Sequence, residues 1–338
     1  EGRRRRARDL SYARVPTLSL PYALPDADAP VHVAFVGQRT YIEPHVLENT
    51  VDGVTPGFFD HRDGGDFAPV RAALDAARPD VVVLFRPDTV PAGALADFAA
   101  PVLGVATEPL PRAGRTSHVS LDFNLAALAR TDRANVDRVL LCDPLGWETA
   151  AEHVPLWRCA PLPVADSLYR MPTASRHPPR MMFLGHSTMH RETALVDQKH
   201  HFDLAHYAHA VLGQELREAL AASDVGICLL NDSGIVTFQP TVLLHLAAGH
   251  LVLSEALDPG FGLDPGIHYI RVNDRYDLDL RVHQLQQMPD AYDRVRLRGN
   301  HFVQQFRASR VWPRLVRDLF DDLRAFGTAR LGGLRDAV

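Results

Sequence analysis

A glycine, two hydroxyl side chains and an arginine directly follow the apolar run at residues 180–184. Glycine lets a backbone approach an anion closely, and the first turn of a following helix offers free N–H groups. Arginine binds a phosphate through two parallel hydrogen bonds. The same loop would also serve as an ordinary helix start, with Ser187 or Thr188 as the cap residue. The candidate phosphate-binding residues of this loop are Gly185, His186, Ser187 and Arg191.

A second polar loop lies between the apolar run at residues 224–230 and a predicted helix at residues 240–248. A helix N-terminus favours anions through its unpaired N–H groups and its dipole, so this loop would suit a diphosphate. Asp232 would meet a sugar hydroxyl rather than the phosphates. Ordinary turn chemistry explains the same composition and stays open as the alternative. The candidate donor-binding residues here are Asn231, Ser233, Gly234, Thr237, Gln239 and Thr241.

The first half of the chain carries candidates for a general base. Glu108 follows the apolar run at residues 102–106, and a carboxylate at a strand end could deprotonate an acceptor hydroxyl. His118 and Asp122 lie further on and are alternatives for the same role, and a surface or capping role stays open for each of the three. Three further residues could contact a ligand, namely Gly37, Arg39 and Lys199.

Histidines crowd into residues 186–209, so a metal site has to be considered. No HExxH pattern occurs, and the three cysteines are far apart without CxxC spacing. We therefore predict no metal site and no disulfide, which suits a reducing, cytoplasmic location. The net charge of −5 argues against a general affinity for nucleic acid. The sequence contains no run of about 18 apolar residues, so we predict no membrane span. The preference for arginine over lysine suggests a GC-rich, bacterial genome.

Short runs of valine, isoleucine and leucine alternate with helical patterns along the whole chain, which predicts an α/β protein with two doubly wound parallel sheets. Ligands bind such sheets beyond the carboxyl ends of the strands, where the candidate loops lie. Residues 190–209 receive no firm assignment beyond a helix start. The predicted strands are 31–37, 80–85, 102–106, 138–142, 154–160, 180–185, 224–230, 250–254 and 268–272. The predicted helices are 70–77, 92–99, 121–130, 146–152, 212–222, 240–248, 278–287, 291–307 and 311–326.

A proline-rich, polar segment at residues 161–179 divides the chain into two halves. We predict a Rossmann-like acceptor-side domain before it and a Rossmann-like donor-binding domain after it. The predicted division is an irregular lead-in at 1–30, the first domain at 31–160, the linker at 161–179, the second domain at 180–310 and a C-terminal helical segment at 311–338.

The second half resembles the CgeB-like glycosyltransferases of the GT-B group, over about residues 155–320. The stretches that carry the resemblance are 160–166, 180–195, 215–231, 241–254, 265–266 and 298–310. It implies two Rossmann-like domains facing a cleft, with the last helix crossing back to the first domain. It also implies a hexosyltransferase that moves a sugar from a UDP-, GDP- or TDP-sugar to a protein, glycan, lipid or small-molecule acceptor. No metal or other cofactor is required in such enzymes, and Arg191 with the loop amides would stabilise the leaving diphosphate, assisted by Lys199.

One departure from the family pattern concerns Leu244, which stands where relatives have a glutamate that is expected to hold the donor ribose. Leucine accepts no hydrogen bond, so Gln239 or Glu255 would take this role, or the donor differs, or activity is lost. Two alternatives to a glycosyltransferase therefore stay open. One is a non-catalytic binder of sugars or nucleotides, and the other is a nucleotide-sugar epimerase of the same fold.

Overall fold

The computed structural model describes residues 20–112, 118–209, 211–232 and 234–330, and these form two parallel β-sheets. The first sheet has six strands in the order β2-β1-β3-β4-β5-β6, and all neighbouring strands pair in parallel. Its strands are β1 (Val31–Gly37), β2 (Val54–Asp60), β3 (Val81–Phe85), β4 (Val102–Ala106), β5 (Arg138–Leu141) and β6 (Leu156–Cys159).

The second sheet has five parallel strands in the order β11-β10-β9-β7-β8. In both sheets the chain moves from the first strand to one side and then crosses to the other side. This places a topological switch point between β1 and β3 and another between β7 and β9, where such sheets form a ligand crevice. The strands of the second sheet are β7 (Met181–Leu184), β8 (Leu204–Tyr207), β9 (Val225–Cys228), β10 (Leu251–Ser254) and β11 (Ile270–Arg271).

Helices cover the sheets on both faces, as connections between parallel strands require. The helices before the second sheet are α1 (Arg39–Ile42), α2 (Ala68–Ala77), α3 (Val119–Leu128) and α4 (Trp147–Ala151). Those that follow β7 are α5 (Met189–His201), α6 (Gly213–Ala221), α7 (Thr241–Ala247), α8 (Arg275–Gln287), α9 (Asp293–Val303) and α10 (Ala308–Phe326). The predicted linker, residues 161–179, carries no strand of either sheet.

The central strands are apolar on both faces because each face meets a helical layer. All five residues of β3 are buried, and its alternate side chains enter two separate cores. One core contains Val83 with Trp312 of α10, and the other contains Leu84 with Leu74 of α2. The first sheet is thus the middle layer of three, and α10 belongs to one of its covering layers although it comes last in the chain.

The helix α10 is fastened to the first domain by both apolar and polar contacts. Trp312 is fully buried and packs edge to face against Phe35, with ring centroids 5.1 Å apart. Its indole Nε1 donates a hydrogen bond of 2.8 Å to the carbonyl oxygen of His45. Further along the helix, Asp322 accepts a hydrogen bond of 2.7 Å from the Arg138 side chain in β5. These contacts pack the C-terminal helix against the first domain.

The sequence prediction was wrong for residues 92–99, which form turns instead of a helix. Side chains form hydrogen bonds with the backbone N–H and carbonyl groups that would otherwise pair with each other in a helix. Asn135 accepts a hydrogen bond from the Leu95 N–H and donates one to the Pro91 carbonyl, both at 2.8 Å. Asp132 accepts from the Gly93 N–H at 2.7 Å.

Two edge strands, β2 and β8, were not predicted. Pro56 and Gly57 interrupt the apolar pattern of β2, and proline is tolerated there because an edge strand has an unpaired side. The strand β8 is only four residues long and contains a histidine, so it lacked the apolar signal of a buried strand.

Candidate functional site

Residues of both domains line a cavity of about 460 Å³ at the place where the two switch points face each other. Gln38 follows β1, and Arg86 follows β3. On the opposite wall, His186 follows the end of β7, and Asn231 follows the end of β9. The sheet topology therefore explains why these loops meet, and we call this space the cleft cavity.

A second cavity of about 330 Å³ lies mainly in the second domain, and we call it the inner cavity. It extends from Gly185 past the end of β8 at Tyr207 to Leu244 in α7. The two cavities adjoin, because six residues line both of them. These shared residues are Tyr41, His45, His186, Asn231, Gln239 and Pro240.

A glycine lies at the carboxyl end of the first strand of each domain, at a point of close packing, where Gly37 is the last residue of β1 and Gly185 directly follows β7. At Gly37 a Cβ atom would lie 2.9 Å from the Ile42 side chain and 3.0 Å from Cβ of Phe85. At Gly185 it would lie 3.0 Å from Nη1 of Arg191 and 3.2 Å from the Phe183 ring. A side chain at either position would therefore force the neighbouring side chains to shift.

Arg191 lies beneath the loops of the second domain, with 5% of its surface exposed. Its guanidinium donates to the carbonyl oxygens of Leu229 (2.9 Å) and His186 (3.1 Å) and weakly to Oε1 of Gln239 (3.5 Å). Burial lowers the pKa of the Arg191 guanidinium. The sequence predicted a cation presented to phosphate, whereas the structure directs most of its donors to backbone carbonyls. Arg191 therefore holds these two loops of the second domain together.

The loop before α5 presents unpaired backbone donors next to the inner cavity. Thr188 caps α5 by accepting a hydrogen bond of 3.3 Å from the N–H of Arg191. Within the described part of the chain, the N–H groups of His186, Ser187 and Thr188 donate to no acceptor. The helix that follows has 13 residues, so its dipole adds positive potential at this end. This arrangement can bind an anion.

Some of the residues predicted in the second loop line a cavity, and others do not. Thr237 and Gln239 line the cleft cavity and bond to each other, with Nε2 of Gln239 donating to Oγ1 of Thr237 at 2.9 Å. Thr241 lines the inner cavity, and its hydroxyl is 3.7 Å from Sγ of Cys228. Gly234 is exposed, and its N–H donates to Oδ1 of Asp232. Ser233 lies outside the described residues.

The structure does not bring the three candidate bases together. Glu108 lines the cleft cavity and accepts a hydrogen bond of 3.3 Å from the Thr107 hydroxyl. His118 caps α3, and its Nε2 is 3.6 Å from a carboxylate oxygen of Asp232 in the other domain. Asp122 lies on the exposed surface of α3, and neither it nor His118 is among the residues that line the two cavities.

The remaining predicted contacts line neither cavity. Arg39 forms an ion pair of 3.6 Å with Glu43 and stacks over the Phe58 ring. Lys199 forms an ion pair of 2.6 Å with Glu192 on the same helix. Glu255, considered as a replacement for the family glutamate, bonds to His190 at 2.8 Å and lines neither cavity. Gln239 lines both, so it is the better placed of the two candidates for that role.

Sequence reasoning missed several polar residues of the cleft cavity, among them Arg86 and His45. Arg86 lies at the first switch point, where its Nε and Nη2 donate hydrogen bonds to Oδ1 and Oδ2 of Asp88, each at 2.8 Å. The rule that selected loops after strands would have found it, since it directly follows β3. His45 had no such signal, because it lies eight positions beyond β1 and reaches the site only through the fold.

The two domains also contact each other beside the cleft cavity. Arg112 of the first domain donates to the carbonyl oxygen of Val236 at 2.9 Å and pairs with the Asp258 carboxylate at 3.1 Å. In the described ranges of the chain, no group of three or more histidine, cysteine, aspartate or glutamate side chains is arranged to hold a metal ion. The helices of those ranges include none that is long and apolar enough to span a membrane.

No protein-family model matches this sequence, and no curated protein sequence matches it. Solved structures do match. The chain is similar to Anabaena Alr3699/HepE in complex with UDP-glucose, with a TM-score of 0.54 and 11% identity over 87% of this chain and 100% of that one. It is similar to an α-glucosyltransferase in complex with UDP-glucose and DNA containing an abasic site, with a TM-score of 0.54 and 13% identity over 86% and 99% of the two chains.

A third similar structure is the sucrose-phosphate synthase of Thermosynechococcus elongatus, with a TM-score of 0.53 and 12% identity over 86% of this chain and 99% of that one. At such identities the similarity concerns the fold. The chain has the GT-B fold of two Rossmann-like domains, and the fold prediction is confirmed. The narrower resemblance to CgeB-like proteins stays a prediction.

Proposed function

We propose that this protein is a glycosyltransferase that moves a sugar from a nucleotide-sugar donor to an acceptor hydroxyl. The observation that carries this proposal is the pair of adjoining cavities at the two facing switch points of a GT-B fold. The similar structures support it, because two of them contain UDP-glucose. The CgeB-like resemblance of the second half agrees with the same activity.

In this proposal the donor nucleotide occupies the inner cavity, and its diphosphate lies against the loop before α5. The unpaired N–H groups of residues 186–188 and the dipole of α5 would supply the positive potential. Arg191 contributes indirectly, because its hydrogen bonds to the loop carbonyl oxygens hold the loops in position. The residues that would complete the donor site are Asn231, Thr237, Gln239 and Thr241, which line one or both cavities.

The proposed reaction is a displacement at the anomeric carbon of the donor sugar. A bond forms between the acceptor oxygen and this carbon, while the bond from the carbon to the diphosphate oxygen breaks. The departing nucleoside diphosphate gains negative charge, which the fixed N–H donors stabilise without reorganising. Should the reaction invert the anomeric configuration, Glu108 is the candidate to take the acceptor proton, because it is the one candidate base that lines the cleft cavity.

A non-catalytic nucleotide binder is the second candidate function, and Leu244 favours it. This side chain lines the inner cavity and is 95% buried, so no acceptor replaces the family glutamate at that position. Release of free sugar from the donor in the absence of an acceptor would separate the two functions, because a protein that only binds does not turn its donor over.

Thermal-shift titration tests donor binding with three pairs of probes: UDP and UDP-glucose, GDP and GDP-mannose, and TDP and TDP-glucose. A probe at about 100 times its Kd should stabilise the native state by roughly 2.7 kcal/mol. We expect one pair to shift the unfolding temperature and the other two to do so weakly or not at all.

The variant Thr241→Val removes a hydroxyl from the inner cavity while keeping the side-chain shape. It should weaken binding of the active probes by about three- to tenfold, the value of one neutral hydrogen bond. Thr193→Val makes the same chemical change on the exposed face of α5, outside both cavities, and should leave binding unchanged. The proposal is rejected if no probe binds the unaltered protein.

A further inference from the structure

His45 is a polar side chain at the junction of the two cavities whose role is unexplained. It ends a short 3-10 turn, Glu43–His45, directly after α1. Its exposed fraction is 6%, yet it lines both the cleft cavity and the inner cavity. His45 therefore lies where the two cavities meet, and its Nε2 is not among the fully enclosed unpaired side-chain atoms of the described residues.

The hydrogen bond of the ring fixes its tautomer. Nδ1 of His45 lies 2.8 Å from the carbonyl oxygen of Pro163. A carbonyl oxygen only accepts, so the proton is on Nδ1, and Nε2 carries a lone pair. Burial lowers the pKa of His45 to about 4, which keeps the ring neutral near pH 7. Among the described residues, Nε2 has no hydrogen-bond partner.

An unpartnered acceptor at the wall of a cavity selects the chemistry of its ligand. A neutral Nε2 cannot donate, so it offers nothing to a phosphate or carboxylate oxygen, which are themselves acceptors. It can receive a hydrogen bond from a hydroxyl group, and a ligand without a hydroxyl at this point would leave the nitrogen desolvated and unpaired. A sugar or another polyol supplies such hydroxyl groups and so fits this acceptor.

The position of His45 indicates that this sugar is the transferred group of the donor, an inference that rests on the proposed function. With the nucleotide in the inner cavity and the acceptor in the cleft cavity, the group that is transferred has to lie where the two meet. His45 belongs to the residues shared by both cavities.

The ring is also held rigidly. The linker carbonyl of Pro163 binds Nδ1, and the backbone carbonyl of His45 accepts from Nε1 of Trp312 at 2.8 Å. Two distant parts of the chain, the linker and α10, thus fix the ring and the backbone of this residue before any ligand arrives, as a selective site requires.

We propose that Nε2 of His45 accepts a hydrogen bond from a hydroxyl of the transferred sugar, and that His45 thereby determines donor specificity. The residue binds the sugar and leaves the nucleotide untouched. Its loss should consequently reduce the contribution of the sugar to donor affinity without changing the affinity for the nucleoside diphosphate alone.

Two substitutions separate this role from a structural one. In His45→Asn the amide nitrogen takes the place of Nδ1 and keeps the bond to Pro163, whereas no acceptor remains at the ε position. In His45→Gln the amide reaches the ε position, and its oxygen can accept from the sugar. Calorimetric titration of both variants and the unaltered protein with UDP and UDP-glucose, GDP and GDP-mannose, and TDP and TDP-glucose gives the ratio of the two Kd values within each pair.

For the pair that binds, we expect His45→Asn to reduce the ratio of nucleotide Kd to nucleotide-sugar Kd by about three- to tenfold. His45→Gln should restore most of it, and the Kd for the nucleotide alone should stay within twofold. An unchanged ratio in His45→Asn, or an equal loss for nucleotide and nucleotide sugar, overturns the inference while the donor site stands. Failure of every pair to bind the unaltered protein rejects the proposed function instead, and this inference with it.

Discussion

Replacement of Trp312 by alanine is expected to lower the free energy of unfolding by about 3–5 kcal/mol, which is the usual cost of deleting a fully buried aromatic side chain. The indole is completely enclosed, and it packs against Phe35 of β1 and Phe85 of β3. Its loss opens a cavity between α10 and the first sheet. It also leaves the carbonyl oxygen of His45 without its hydrogen-bond donor.

Urea unfolding measures this effect, and two other substitutions serve as controls. Trp312→Phe keeps most of the ring but removes the N–H, so it should cost less than Trp312→Ala. Trp147→Ala removes an indole that is 38% exposed and should cost less than about 1 kcal/mol. Equal midpoints for Trp312→Ala and Trp147→Ala would contradict the packing of α10 on the first domain.

Acidification from pH 6.5 towards pH 4.5 should destabilise the protein steeply, because three buried histidines are held neutral. Burial lowers the pKa values of His45 and His250 to about 4 and that of His245 well below its ordinary value. Nδ1 of His245 and Nδ1 of His250 are 3.0 Å apart, so these two rings cannot both be charged. The unfolded chain, in contrast, takes up these protons near pH 6.5.

The direction in which stability changes with pH follows from the numbers of protons bound by the native and unfolded states. Below pH 6.5 the unfolded state binds more protons than the native state, so stability is fully present above this pH and is lost as the pH falls towards 4. Each histidine contributes up to about 1.4 kcal/mol per pH unit, and the three together up to about 4 kcal/mol per pH unit.

Urea midpoints at pH 7.5, 6.0 and 5.0 test this expectation. His45→Asn should flatten the dependence by about one third while it retains the bond to Pro163. His283→Gln, which changes an exposed histidine of α8, should leave the dependence unchanged. A flat profile between pH 7.5 and 5.0 would show that these histidines are not buried as neutral rings.

The local pattern of the sequence determined most elements of this fold. Runs such as VVVLF at residues 81–85 are apolar at every position, which indicates a strand covered on both faces, and the structure has that strand as β3. The order of strands and helices then predicted two doubly wound sheets. Because ligands bind beyond the carboxyl ends of such strands, the loops at Gly185 and Asn231 could be selected without coordinates.

Only the tertiary structure decided which of these side chains share a site. His118 and Asp122 lie near Glu108 in the sequence, but neither of them lines the two cavities. The Arg191 guanidinium donates mainly to backbone carbonyl oxygens. The turns at residues 92–99 depend on Asn135, which lies about 40 positions later. His45 acquires its tautomer from Pro163 and its support from Trp312, each more than 100 positions away. Local propensity and periodicity describe neighbours along the chain, whereas burial and hydrogen bonding depend on neighbours in space.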